Sequence, residues 1–174
     1  MTSVAIIGDG QMGLVLADAL MTRGVHVRVW GPFSNEITEL AQTRQSPRLG
    51  GFHLSEKVEV CDEASEALSG VDAAINAIPT QFIRKVWTSL SDYVPTGTPI
   101  ASVAKGIEIG SLERPTQVIQ SVVGENSQVC VLSGPTIATE LAKHQPAAMV
   151  ASSSDPTVAS LVQDLFNVPW LRIY

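Results

Sequence analysis

The chain has 174 residues, of which 45% are hydrophobic and 16% charged. This mix suits one globular domain with a true core and excludes a disordered chain. A formal net charge of −6 leaves no broad cationic footprint. That excludes a nucleic-acid-binding surface, while still allowing local phosphate binding by a helix N-terminus or one placed lysine.

Residues 4–7 form an apolar run, and Gly8-Asp9-Gly10-Gln11-Met12-Gly13 follows at once. The run has no basic flank and is interrupted immediately, which does not fit a secretory leader. Residues 11–23 place Met12, Val15, Leu16, Ala19 and Leu20 at i, i+3, i+4 spacing, with Gly24 as a stop; this predicts a helix. A second apolar run, 25–30, leads into Trp30-Gly31-Pro32-Phe33-Ser34-Asn35, where Ser34 or Asn35 can cap the next helix. The Gly-containing stretch 46–55 is too long for a minimal connection and is expected to have a role. Further apolar runs lie at 58–60, 73–78, 99–103, 129–132, 147–151 and 170–174. Between them, Thr80 is expected to cap helix 81–90 and Pro115 to sit in the first turn of helix 116–123. Thr136 is expected to cap helix 137–143, and Asp155 to cap helix 157–166. Apolar runs alternating with helices predict an α/β, Rossmann-like doubly wound fold. Its sheet is mostly parallel with helices on both faces.

No stretch approaches the roughly 20 apolar residues that a membrane helix needs, so no membrane insertion is expected. Cys61 and Cys130 belong to no CxxC pair, and the three histidines, His26, His53 and His144, are scattered. A disulfide framework and a metal site are therefore not expected, and a cytoplasmic location is.

The glycine turn carries the first chemical reading. It follows a strand, opens an amphipathic helix and precedes a second strand, the context that a dinucleotide-binding GxGxxG requires. Gly8 would permit the tight turn, Gly10 would admit a pyrophosphate, and Gly13 would let helix and sheet pack closely. Asp9 would repel that pyrophosphate, so its side chain is expected to face solvent. NAD specialists place a carboxylate about 20 residues past the glycines. Here none appears until Glu36, and no arginine stands there to attract a 2′-phosphate. Ser34 and Asn35 can hydrogen-bond either form, so the cofactor is NAD or NADP.

Three later segments follow strands, where ligands of open α/β sheets bind. Lys105, in Val103-Ala104-Lys105-Gly106-Ile107-Glu108, is either a cation for an anionic substrate or an exposed turn lysine. In Ser133-Gly134-Pro135-Thr136, Gly134 allows close backbone approach, and the Thr136 hydroxyl can bond a ligand or cap a helix. Phe82, in Thr80-Gln81-Phe82, can pack on a cofactor ring or join the core.

Taken in order, GDGQMG, NAIPTQFI, VAKGIE and LSGPTIATELA resemble the N-terminal domain of the NAD-dependent glycerol-3-phosphate dehydrogenase family. The loop PRLGGFHL resembles that family more weakly; Gly51 stands where part of a Pro-Gly pair is expected. The resemblance implies interconversion of dihydroxyacetone phosphate and sn-glycerol 3-phosphate, feeding glycerophospholipid synthesis. It implies cofactor contacts at Gly8, Gly10, Gln11, Met12, Gly13, Pro32, Phe82, Lys105 and Ala138, and substrate contacts at Lys105, Gly134 and Thr136. Gln11 and Met12 depart from the family's small-polar and aromatic pair. Pro32 replaces a more typical His, Arg or Phe.

The resemblance further implies that residues 1–174 are the dinucleotide-binding domain, with a helical C-terminal substrate domain absent. No catalytic residue is expected here, because the proton-transfer lysine belongs to that second domain. An apolar patch near the strand ends would then be exposed, and a homodimer could form through it. Another Rossmann dehydrogenase, of ketopantoate reductase or hydroxyacid dehydrogenase type, and a non-catalytic dinucleotide-sensing module are the alternatives.

Overall fold

The computed structural model describes residues 2–124 and 127–174. Eight strands form one sheet: β1 (Ser3–Ile7), β2 (His26–Trp30), β3 (Glu59–Val60), β4 (Ala73–Asn76), β5 (Ile100–Ser102), β6 (Val129–Ser133), β7 (Ala147–Ser152) and β8 (Leu171–Ile173). Their spatial order is β3-β2-β1-β4-β5-β6-β7-β8. Every pair from β3 to β6 is parallel, β7 runs antiparallel to β6, and β8 is parallel to β7. The helices are α1 (Gln11–Thr22), α2 (Ser34–Thr43), α3 (Ala64–Leu68), α4 (Thr80–Leu90), α5 (Pro115–Val123), α6 (Ala138–Leu141) and α7 (Pro156–Phe166). This is the Rossmann-like, mostly parallel architecture that the alternation of apolar runs and helices predicts.

Side chains alternate across a strand, so β1 contributes to two cores. Val4 and Ile6 pack with Leu16, Leu20 and Phe166, while Ala5 and Ile7 pack with Trp87, Leu90 and Ile119. Helices therefore cover both faces, which explains why the central strands are apolar throughout. Each predicted strand is present, shorter or longer by a residue or two. The 73–78 run ends as a strand at Asn76, and Pro79, which has no N–H to donate, stands just before α4. The helix expected over 137–143 is shorter, Ala138–Leu141, and His144 beyond it is in the left-handed region at φ 53°.

Three expected caps are different in the structure. Thr80 is the first residue of α4, not its cap, and Pro79 holds the cap position. Ile137, not Thr136, precedes α6. Phe33 likewise precedes α2, and neither Ser34 nor Asn35 caps it with a side chain. Asp155 does cap α7, accepting from the Thr157 N–H at 2.8 Å, and Pro115 opens α5.

The register places Trp30, Ile7, Asn76 and Ser102 in one row across the carboxyl ends of β2, β1, β4 and β5. Asn76 is wholly buried in that row. Its Nδ2 donates to Ser102 Oγ at 2.9 Å, and its Oδ1 accepts the Trp87 indole N–H at 2.7 Å. One amide thus joins two strand ends to α4. Replacing Asn76 by Ala would strand a buried donor and leave Ser102 without its partner. At about 1–3 kcal/mol for each buried group left unpaired, Asn76→Ala is expected to lower stability by about 2–4 kcal/mol in urea denaturation.

Candidate functional site

The turn between β1 and α1 builds the first wall. Gly8 has φ 119°, a conformation open to glycine, and a Cβ there would come within 2.9 Å of the Ala77 backbone. A Cβ at Gly13 would overlap the Gly8 carbonyl oxygen. These two glycines serve packing. Gly10 differs: a Cβ on it would meet nothing within 4 Å, so it borders open space. The backbone N–H groups of Gln11, Met12 and Gly13, in the first turn of α1, have no carbonyl one turn earlier to bind. Open space beside Gly10 and free donors at a helix N-terminus fit a dinucleotide pyrophosphate.

Gln11 and Met12 are half-buried. The Gln11 amide donates to the Arg48 carbonyl, and Met12 packs on the core. Gln11 therefore ties the glycine turn to the 46–55 loop. That loop is anchored: Leu49 and Leu54 are buried, and Gln45 bridges to His53. Arg48 makes a two-point ion pair with Glu36, Nη1 to Oε2 at 2.7 Å and Nη2 to Oε1 at 2.6 Å.

Asp9 corrects an expectation. Its side chain does not face solvent; the residue is only 8% exposed. It lies over Gly31, where a Cβ would overlap Asp9 Oδ1. Desolvation pushes the Asp9 carboxyl above the ordinary aspartate range, with Glu36 adding to the rise and Arg48 opposing it. The carboxylate lines a cavity of about 220 Å³ with Asn35, Glu36, Gln45, Ser46 and Arg48. Pro32, at the end of β2, is exposed.

The opposite wall is the loop after β5. Lys105 is exposed, and its Nζ donates to the Gly134 carbonyl at 2.9 Å. The same carbonyl accepts the Thr136 N–H at 2.9 Å. A Cβ at Gly134 would overlap the Ala148 carbonyl oxygen, so this glycine lets β7 approach closely. Thr136 Oγ1 is buried with no hydrogen-bond partner among the described residues, and Ala138 is buried at the start of α6. A buried hydroxyl without a partner is costly, and a ligand atom would relieve it. Phe82 is 59% exposed on the first turn of α4, which removes the core reading.

The structure also shows what holds the Lys105 loop. Thr80 Oγ1 donates to the Lys105 carbonyl at 2.6 Å. Gln81 donates to the Ile107 carbonyl at 2.8 Å and accepts from the Ile109 N–H at 2.9 Å. One turn on, Arg84 grips Glu108 through Nε and Nη2, Glu113 at 2.7 Å, and Ser121 at 2.9 Å. The segments PTQFIR and AKGIE are thus two halves of one clamp, which the sequence reading missed. The signal was present in the three-residue step from Gln81 to Arg84 and in the glutamate three residues after Lys105.

Arg84, and then Ser111, hold the Glu108 carboxyl below the ordinary glutamate range. A depressed carboxyl contributes stability that is fully present above its ordinary value of 4.5 and is lost as pH falls through the lowered one. Glu108→Gln should therefore be less stable than the parent at neutral pH, and the gap should narrow below pH 4.5 in pH-dependent unfolding.

The glycine turn, Lys105, Gly134 and Thr136 all sit just beyond the carboxyl ends of the parallel strands. Among the described residues, no group of three His, Cys, Asp or Glu converges on a metal-sized site, and both thiols are free and buried. Comparison with known proteins agrees with this geometry. Residues 3–159 match the family model described as the NAD-dependent glycerol-3-phosphate dehydrogenase N-terminus. The chain is 33% identical to glycerol-3-phosphate dehydrogenase (NAD(P)+) 2 of Lactobacillus delbrueckii subsp. bulgaricus over 100% of its own length and 53% of that protein. It is 37% identical to the Mycobacterium tuberculosis protein of the same name, over 99% of this chain and 52% of that one. The crystal structure of glycerol-3-phosphate dehydrogenase from Coxiella burnetii superposes with a TM-score of 0.90 at 26% identity, covering 99% of this chain and 53% of the other. The chain thus spans about half the length of the curated relatives it matches, and it belongs to the NAD-dependent glycerol-3-phosphate dehydrogenase family, as its N-terminal part.

Proposed function

We propose that this chain is the dinucleotide-binding half of an enzyme that interconverts dihydroxyacetone phosphate and sn-glycerol 3-phosphate with NAD or NADP. The observation that carries the reading is the meeting of an open glycine turn, a clamped lysine and an unpartnered buried hydroxyl beyond one edge of the sheet. The names of the relatives support glycerol 3-phosphate as one of the pair.

When bound, the nicotinamide cofactor supplies the hydride for the C2 carbonyl, or receives it in reverse. The chain's own residues bind and orient. The first turn of α1 would hold the pyrophosphate through free N–H groups and the helix dipole. Lys105 spends one of its three ammonium donors on Gly134, which fixes its head and leaves two for an anionic substrate or a polarised carbonyl oxygen. Thr136 Oγ1 would take a substrate hydroxyl or phosphate oxygen. Phe82 and Ala138 would flank the cofactor. The proton-transfer lysine is proposed to lie outside residues 1–174, in a further helical part of the longer enzyme. Two buried free thiols suit a reducing, cytoplasmic setting, and among the described residues no helix is long and apolar enough to cross a membrane.

Calorimetry with NADH and NADPH tests the reading. The 174-residue chain should bind at least one of them, and Gly10→Val should abolish that binding by filling the open space beside the turn. The chain alone should not turn over dihydroxyacetone phosphate. Turnover by the purified chain would refute the assignment of proton transfer to the other half. Unchanged binding by Gly10→Val would refute the phosphate cradle.

A further inference from the structure

In this fold the adenosine ribose lies against the end of the second strand, and a carboxylate extending from that strand reads its 2′-hydroxyl in NAD enzymes. β2 ends at Trp30, whose ring packs on the second core, and the next residue is Gly31, so no polar side chain is available from the strand end itself. That space is filled nonetheless. The Asp9 carboxylate, from the variable position of the glycine turn, occupies the volume that a Cβ at Gly31 would claim. The pairing of Asp9 with Gly31 is sterically obligatory: with any other residue at 31, Asp9 could not lie where it does.

Asp9 is more than nine-tenths buried, yet it lines the cavity. Among the described residues, no other residue donates a hydrogen bond to its carboxylate. Burying a carboxylate without partners is unfavourable, and a diol with two O–H donors is the ligand that would satisfy it. The rest of the lining carries further negative charge. Glu36 and Glu39 stand on α2, against the single cation Arg48, which is already held at two points by Glu36. A 2′-phosphate entering there would meet three carboxylates and an arginine already neutralised.

We propose that Asp9, seated over Gly31, is the specificity-determining residue for the coenzyme, accepting the adenosine ribose 2′-hydroxyl of NAD and excluding the 2′-phosphate of NADP. This rests on the dinucleotide-binding reading above. The Glu36–Arg48 pair, held by Gln11 through the Arg48 carbonyl, closes the cavity and keeps the arginine from serving as a phosphate receptor.

The test is calorimetric titration of the 174-residue chain with NADH and with NADPH, for the parent, Asp9→Asn and Gly31→Ala. The parent should bind NADH at least about tenfold more tightly than NADPH, the discrimination expected of a charge-assisted hydrogen bond against a like-charge encounter. Asp9→Asn keeps the size of the side chain and removes its charge. It should weaken NADH, strengthen NADPH and collapse the ratio. Gly31→Ala retains the carboxylate but displaces it, and should move the ratio the same way. A parent that prefers NADPH, or a ratio unchanged in Asp9→Asn, overturns the proposal. Equal binding of both coenzymes, abolished by Gly10→Val, overturns it while leaving the dinucleotide reading intact. Binding of neither coenzyme removes both.

Discussion

The side-chain amide of Asn76 joins the ends of β4 and β5 to α4, and the placement of the site depends on that join. Because Trp87 is fixed by Asn76, α4 has one orientation over the sheet. Because α4 is fixed, Thr80, Gln81 and Arg84 face the loop after β5 and bind it at successive points. The loop then delivers Lys105 to the Gly134 carbonyl. A flexible lysine on an exposed turn would lose considerable side-chain entropy on engaging a ligand. Here much of that loss has occurred on folding, through a chain of hydrogen bonds that begins in the core. Preorganisation of this kind is what an anion-binding cation needs.

The glycine turn divides its work in an unexpected proportion. Gly8 and Gly13 are required by protein–protein proximity, one against the backbone after β4 and the other against the turn itself. Only Gly10 faces free space. A motif usually described as a phosphate cradle is thus, in two of its three glycines, a device for seating a helix tightly on a sheet. Tight seating is what aims the helix N-terminus. The dipole and the free N–H groups act over short range, and a helix held away by one methyl group would lose both.

Much of this was legible from sequence. The apolar runs marked all eight strands, most plainly β1, β4 and β5, which are buried nearly throughout and leave no polar alternation to misread. The short helix α3 has five residues, too few to show a helical period. The capping assignments for Thr80 and Thr136 failed for a common reason. A threonine at a helix start resembles a cap, yet the Thr80 hydroxyl has a stronger claim from the Lys105 carbonyl, and the Thr136 hydroxyl is buried with no partner among the described residues. Both competing environments are tertiary and come from elsewhere in the chain. Phe82 could be read either way because sequence carries hydrophobicity and not exposure. The arginine–glutamate clamp went unread because Arg84 and Glu108 are separated by the rest of α4 and by β5, and their two local spacings do not show that they are partners.

Asp9 departs furthest from its expected position. Repulsion from a pyrophosphate correctly predicts that its carboxylate turns away from the cradle, but solvent is not the only destination. Gly31, lying after the next strand, leaves a vacancy one side chain deep at the in-register neighbour of the turn. Moving the carboxylate there costs hydration, which is visible in its raised proton affinity. Among the described residues it gains no ion pair in return, since the nearby arginine is committed to Glu36. A largely buried carboxylate without an ion partner is unfavourable unless a ligand uses it. The proposed use follows from position, since this is where parallel α/β sheets meet the sugar of a bound dinucleotide. Coenzyme choice would then be governed by a steric pair, an acid in the glycine turn and a missing side chain after the second strand. Neither residue conveys that meaning alone.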